Sequence, residues 1–341
     1  DYFGVCGLDG SVPQLAAQSL LMTTQQILPG VLEWAKQAKP DYILYDCMCP
    51  WGYFVAQSMK LPSVSSSSLL PISPRVMLNW RVLRLFLPMM IKGFAPGNEA
   101  NKLSRMIGKA YNVKPLGMMN LLNAPADLII SYSSAAYIPF ADTLAQNVRF
   151  IGWTVDENSL DEQFIQCSDR PFIYISLGTV SNQNHTFFQT CIAGLADLPY
   201  EVLISTGKGL VPEAFGTLPE NITIKSWVPQ SQVLRRAALF VTHGGLNSIH
   251  DGFFHGLPML LVPQQTEQTF NAMRVVELGA GLMLEKDRLN EQTIKIAVEK
   301  LLSDSSYKSY ALQIGESLRS AGGVEKAVAE IDALLRHQVS S

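Results

Sequence analysis

Charge is scarce in this chain. Asp, Glu, Lys and Arg make up 16% of its 341 residues, against about 25% in an ordinary soluble domain. The net charge is −3, so the basic footprint of a nucleic-acid-binding protein is missing. Long apolar runs are missing as well. None reaches the ~18 residues needed to cross a bilayer, and the apolar stretch 69–95 is broken by Pro71, Pro74, Arg75, Arg81, Arg84 and Pro88. Neither a nucleic-acid partner nor stable membrane insertion is expected. No signal peptide is visible at Asp1, although the chain does not begin with Met. Cysteine is sparse: Cys6, Cys47, Cys49, Cys167 and Cys191 form an odd, scattered set. That set suits a reducing, cytoplasmic setting better than a disulfide framework. Cys47-x-Cys49 lacks a second ligand pair at zinc spacing, there is no Asp-x-Asp pair, and there is no internal repeat. No metal and no cofactor are expected.

What is present is apolar residues, at 48%. They suffice for large cores and for a surface that takes a greasy ligand. The length suggests two domains rather than one. In the first half, residues 13–38 carry a helical pattern of Leu15, Leu20, Leu21, Ile27, Leu28, Val31 and Leu32, interrupted by Pro29 and Gly30. Tyr42–Tyr45 reads as a buried strand ending at Asp46, 51–59 as a helix, and Leu61–Ser65 as a strand running into a Ser-rich loop. Residues 69–123 are rich in Met and Leu, with Trp80, Phe86, Phe94 and Met118-Met119. They are expected to form helices and mobile segments around an apolar pocket; ordinary helix packing is the plainer reading. Asp127–Ser131 and Val148–Ile151 read as further strands. The polar, acidic stretch 153–171 reads as a linker.

The second half alternates more regularly. Strands are expected at 172–177, 200–205, 222–225, 239–242 and 258–262. Helices are expected near 185–197, 230–237, 247–256, 267–278, 291–302, 306–320 and 323–336. Asn290 is placed as an N-cap, with Leu289 and Ile294 as a hydrophobic staple. Such alternation implies an α/β fold with a doubly wound parallel sheet, whose ligands bind beyond the C-terminal ends of the strands.

The densest chemistry lies in 227–271. In LFVTHGGLNS a strand ends at Thr242 and delivers His243; Gly244 and Gly245 let the backbone turn tightly and approach a ligand. The helix opening near Asn247 offers free amides and a positive dipole end suited to a diphosphate, with His243, Asn247 and Ser248 as side-chain donors. A glycine turn with an Asn/Ser cap is the bland alternative. Asp251, one helical turn past Asn247, can accept from ribose hydroxyls or stand as a solvated helix carboxylate. Trp227 can stack a flat base or fill a core, and Gln230 opens the next helix within reach of base or ribose. Glu267 and Gln268 form a carboxylate–amide pair able to bind several sugar hydroxyls, or an acidic first helix turn. Thr179, after Ser-Leu-Gly, is a further phosphate-contact candidate. His250 and His255 lie about 140° apart on a helix and read as structural.

These segments, SLGT at 176–179, WVPQ at 227–230, THGGLNS at 242–248 and EQTFNA at 267–272, resemble the UDP-glycosyltransferases of the GT-B fold. The chain is similar to the bacterial macrolide and flavonoid glucosyltransferases of glycosyltransferase family 1, most strongly over 172–336. The resemblance implies two facing Rossmann-like domains: 1–152 for the acceptor, lacking its first strands, and 172–322 for the UDP-sugar. A C-terminal helix, 323–341, would pack back on the first domain. It implies that Trp227 stacks on uracil, with Val228 and Gln230 alongside. Thr179, His243, Gly245, Asn247 and Ser248 would hold the diphosphate. Asp251 stands where Glu is more usual, a swap that shortens its reach to the ribose. Glu267 and Gln268 would grip the donor sugar, and Gln at the second place leans toward glucose.

The resemblance also implies a catalytic His after the first strand. The first His of this chain is His185, so about the first 50–60 residues of a relative are expected to precede Asp1, since a Rossmann-like half starts from its first strand. Asp46, in YILYDCMCPWG, matches the acid partner of that His; alternatively it caps the helix at 50–59. The expected activity is inverting transfer of a hexose from UDP-sugar to a lipophilic hydroxyl compound, by a monomer or dimer. A UDP-sugar-binding protein without transfer activity and a GT-B-type nucleotide-sugar epimerase are the alternatives.

Overall fold

All strand pairings among the described residues are parallel, which requires a crossover between successive neighbours. The computed structural model describes residues 13–117, 120, 124–154, 172–178, 184–207 and 210–339. The chain divides into two units, Asp1–Gly152 with Ala321–Ser341, and Trp153–Ser320. Both are α/β, and together they are the two Rossmann-like parts of a GT-B fold.

The first unit holds four strands side by side in chain order: β1 (Ile43–Asp46), β2 (Ser63–Ser67), β3 (Leu128–Ser131) and β4 (Val148–Phe150). Helix α1 (Pro13–Ala38) buries Ala17, Leu21, Leu28, Leu32 and Ala35 in one cluster with Phe54 and Val55 of α2 (Pro50–Met59). The expected break at Pro29 and Gly30 does not occur. Both residues are exposed, on the face where water is available to the carbonyl that the missing Pro29 N–H leaves free, while the buried stripe continues beneath.

The segment expected to surround an apolar pocket forms α3 (Trp80–Lys92) and α4 (Phe94–Tyr111). Helix α4 buries Ala100 and Ile107 against α1. Helix α3 buries Val82 but exposes Trp80, Leu83, Leu87, Met90 and Ile91, followed by an exposed Phe94. These positions recur at helical spacing, so the apolar residues form an outward stripe instead of a packed core. The concavity beside Phe94 is mixed: Phe94, Ala95 and Pro96 line it together with Asn98, Glu99, Lys102 and Arg105. Met118 and Met119 lie outside the described residues. Helix α11 (Gly323–Val339) belongs to this unit: Ala327, Ile331 and Leu334 pack on Val64, Leu128, Ile130 and Ile151, and Arg149 pairs with Glu330 at 2.9 Å.

The second unit is a six-stranded sheet of β5 (Phe172–Ser176), β6 (Glu201–Ser205), β7 (Ile222–Lys225), β8 (Ala237–Thr242), β9 (Met259–Leu261) and β10 (Gly281–Met283). Across the sheet the order is β7-β6-β5-β8-β9-β10. Its helices are α5 (His185–Leu195), α6 (Gln230–Arg236), α7 (Leu246–Phe254), α8 (Thr266–Glu277), α9 (Glu291–Ser303) and α10 (Ser305–Arg319). All five residues of β5 are buried, as helices on both faces of a parallel sheet require. Strand β10, three residues beginning at Gly281, has no sequence pattern that announces it. Helix α9 starts in a capping box: Asn290 Oδ1 accepts from the Thr293 amide and Thr293 Oγ1 from the Asn290 amide, both at 3.0 Å. Leu289 and Ile294 join the same core cluster.

The order of strands fixes where a ligand can enter. From β5 the chain winds outward to β7, then returns to β8 on the other side of β5. The crevice beyond the carboxyl ends of β5 and β8 is therefore a topological switch point. Ser176 and Thr242 are register partners at those ends, so Leu177-Gly178 and His243-Gly244 leave the sheet next to each other.

Candidate functional site

His243 is the first residue beyond β8, and two glycines hold its imidazole. A Cβ on Gly178 would stand 2.7 Å from its Cε1, and a Cβ on Gly245 2.5 Å from its Nε2. The tight turn expected of both Gly244 and Gly245 is made by Gly244 alone, at φ +86. Gly245 has an ordinary φ of −63; it is small because His243 fills the space a side chain would take. Burial pushes the His243 pKa down to about 4, so the imidazole is neutral at pH 7. Thr242 Oγ1 lies 3.4 Å from its Nδ1.

Helix α7 follows at once. Gly245 is its N-cap and supplies no side-chain cap, while the Ile249 amide already bonds the Gly245 carbonyl at 3.0 Å. The amides of Leu246, Asn247 and Ser248 thus have no acceptor within the helix, and the positive end of the helix dipole lies with them. This is the arrangement in which helices bind phosphate. Asn247 is exposed and Ser248 buried beside it.

One turn on, Asp251 is not the solvated carboxylate of the plainer reading. Its Oδ1 accepts from Trp153 Nε1 and its Oδ2 from Gln230 Nε2, each at 2.7 Å. Burial pushes its carboxyl pKa up, and the two N–H donors pull against that shift. Gln230, expected beside the base or ribose, opens α6 and is committed to this carboxylate. Trp227 follows β7 and is 64% exposed, so it does not fill a core; the next residue, Val228, is buried.

Glu267 and Gln268 open α8 in different states. Gln268 is buried, and its Oε1 accepts from the Gln264 and Gln265 amides at 2.8 and 3.2 Å. Its carbonyl is spent on shaping the loop before α8. Glu267 is exposed, with Oε1 held by Asn271 Nδ2 at 3.1 Å. Sequence reasoning gives Asn271 no role beyond its place in EQTFNA. Gly178 and Trp153 are likewise unassigned by sequence, because each acts through a contact across the fold. Thr179 lies outside the described residues. His250 is buried and pushed down to about 3 by desolvation, and His255 to about 4; Ser231 Oγ lies 3.2 Å from His255 Nε2. Among the described residues no group of three or more His, Cys, Asp or Glu could hold a metal ion, and no helix is long and apolar enough to cross a membrane.

In the first unit, Asp46 ends β1 and is exposed, with Oδ1 accepting from the Met48 amide at 2.8 Å. This bond spans the turn into α2 and leaves most of the carboxylate open.

The second unit gathers at its switch-point crevice an uncapped helix start, an exposed indole and a fixed carboxylate, groups whose chemistry suits a nucleotide. Comparison with known proteins agrees. The family model described as "UDP-glucoronosyl and UDP-glucosyl transferase" matches residues 100–340, and the chain belongs to that family of glycosyltransferases. It is 31% identical over 322 residues to the NDP-glycosyltransferase YjiC of Bacillus subtilis, covering 94% of this chain and 79% of that protein. It is 28% identical over 329 residues to the uncharacterized UDP-glucosyltransferase YojK of the same organism, covering 95% and 80%. The crystal structure of the calicheamicin glycosyltransferase CalG4 superposes with a TM-score of 0.77 at 26% identity, covering 93% of this chain and 80% of that one.

Proposed function

We propose that the enzyme transfers glucose from UDP-glucose to a hydroxyl of a lipophilic natural product, such as a flavonoid or macrolide, with inversion and without a metal. The observation that carries the reading is His243, neutral and clamped between Gly178 and Gly245 beside the open first turn of α7. That pair of features supports a diphosphate held by amide and imidazole N–H groups, with Asn247 and Ser248 adding donors. Trp227 offers an exposed face for uracil, with Val228 beside it in the chain, and Asp251 a carboxylate for the ribose. The second oxygen of Glu267 and the amide nitrogen of Gln268 provide an acceptor and a donor for sugar hydroxyls.

In this mechanism an acceptor oxygen attacks the anomeric carbon as the bond to UDP breaks, and its proton passes to an imidazole base. Asp46 orients that imidazole and stabilises its charge. UDP leaves with negative charge growing on the phosphate oxygens, where the α7 amides are already aimed; preorganised donors of this kind act on the transition state. The stripe of Trp80, Leu83, Leu87, Met90, Ile91 and Phe94 supports a lipophilic acceptor. The free thiols of Cys47, Cys49 and Cys191 support a reducing, cytoplasmic setting.

Mass spectrometry of the full-length protein with UDP-glucose and a panel of phenolic and macrolide acceptors tests the proposal. A mass gain of one hexose on an acceptor is expected. UDP binding with no such product would leave a binding protein, and UDP-sugar turnover without an acceptor would indicate an epimerase.

A further inference from the structure

Trp153 is the first residue of the stretch 153–171 that joins the two halves of the sequence, and no motif contains it. Its indole N–H donates to Asp251 Oδ1 at 2.7 Å across 98 positions of sequence. Its ring packs 5.3 Å from the ring of His250, the neighbour of Asp251 on α7. Gln230 takes the other oxygen at 2.7 Å. The carboxylate is thus gripped from two sides by neutral N–H donors, with no Lys or Arg paired to it among the described residues. Each carboxylate oxygen carries two lone pairs, so each keeps one acceptor site. An Asp has two side-chain torsions and could swing; with both oxygens engaged it cannot.

We infer that Trp153 is a positioning residue: it fixes the Asp251 carboxylate so that the free lone pairs meet the ribose 2′-hydroxyl, and so sets the preference for a ribonucleoside diphosphate over its 2′-deoxy counterpart. The inference rests on the assignment of Asp251 to the ribose in the proposed function. A site built to accept a hydroxyl proton discriminates against a ligand lacking it, because the acceptor is left desolvated and unpaired. An acceptor free to rotate forfeits part of that discrimination, since it must be ordered on binding. Trp153 and Gln230 compensate in this way for the short reach of Asp.

The test is calorimetric titration of the full-length protein with UDP and with 2′-deoxy-UDP, read as the ratio of the two dissociation constants. The wild type is expected to favour UDP by about tenfold, the size of one good hydrogen bond to a charged acceptor. Asp251→Ala should bring the ratio close to one. Trp153→Phe, which keeps a ring against His250 but loses the N–H, should shrink the preference at least threefold, with the melting midpoint reported alongside. β-(3-Benzothienyl)alanine installed at position 153 keeps the whole ring system and removes only the donor, so it serves if Phe does not fold; the same shrinkage is expected. If Asp251→Ala abolishes the preference while both changes at position 153 leave it intact, Trp153 merely packs and the inference falls. A wild-type ratio near one would instead overturn the ribose assignment of Asp251, and this inference with it.

Discussion

Asn271 reaches Glu267 and the turn after β8 with a single nitrogen. Its Nδ2 donates to Glu267 Oε1 at 3.1 Å and to the Gly244 carbonyl at 3.2 Å. The side chain is fully buried, so the turn that presents His243 and the carboxylate assigned to the donor sugar share one support. Asn271→Ala leaves the enclosed Gly244 carbonyl without its donor, a loss of about 1–3 kcal/mol. Denaturant unfolding should show this loss, and the KM for UDP-glucose should rise as Glu267 loses its orientation. A stability loss with unchanged KM would detach Glu267 from the sugar.

Gly245→Ala makes a sharper test of the diphosphate site. The backbone there, at φ −63, suits Ala, so the fold should tolerate the change. The new Cβ would lie 2.5 Å from His243 Nε2, closer than real contacts allow, and the imidazole must move. UDP affinity is expected to fall at least tenfold, a change of about 1.4 kcal/mol, with little change in melting midpoint. Undiminished UDP binding, measured by calorimetry, would remove His243 from the diphosphate site.

The sequence carries local features well and contacts across the fold poorly. Strands β5 to β9 can be read to within about two residues, because strands buried on both faces, such as β5, are continuous apolar runs closed by turns, while the edge strand β7 alternates buried and exposed residues. His243, Asn247 and Ser248 are readable for the same reason: strand end, glycine turn and helix start follow one another within a few positions. Strand β10 escapes because three residues are too few for any periodicity to show. Helix α1 runs through Pro29 because burial of Leu28 and Leu32 is decided by packing against α2 and α4, which the local sequence does not display. Gln268 illustrates the limit within a motif. Its place beside Glu267 suggests one role for both, yet its carbonyl holds the loop before α8. The partners of Asp251 are invisible to sequence pattern, since Trp153 lies 98 positions away.

The buried histidines make stability depend on pH. His243, His250 and His255 titrate at about 4, 3 and 4 in the folded chain, against 6.5 when exposed. Above pH 6.5 both folded and unfolded states are neutral at these sites, and stability is at its plateau. As pH falls below 6.5 the unfolded chain gains protons that the folded chain refuses, so stability declines until the folded values are reached. Each deeply buried site contributes a slope of about 1.4 kcal/mol per pH unit; His255, more open to solvent, contributes less. Asp251, its carboxyl pushed up by burial, works in the opposite direction at the acid end. Urea unfolding at pH 7, 6 and 5 should show a steady loss, and His250→Phe, if it folds, should flatten it. A profile level from pH 7 to 5 would contradict the burial of these rings.

Asp46→Ala separates catalysis from donor binding. The carboxylate is exposed and, among the described residues, accepts a hydrogen bond from the Met48 amide at 2.8 Å, so its removal should cost no more than about 1 kcal/mol of stability, as for a cap. If Asp46 orients the imidazole base, the transfer rate in the full-length protein should fall by about 10²–10⁴-fold, the range attributed to general base catalysis. UDP-glucose affinity should stay within about twofold, because an interaction made only in the transition state leaves ground-state binding intact. Steady-state kinetics with UDP-glucose and a responsive acceptor distinguish the outcomes. A parallel rise in donor KM would move Asp46 into the donor site, and an unchanged rate would leave it as the residue that shapes the turn into α2.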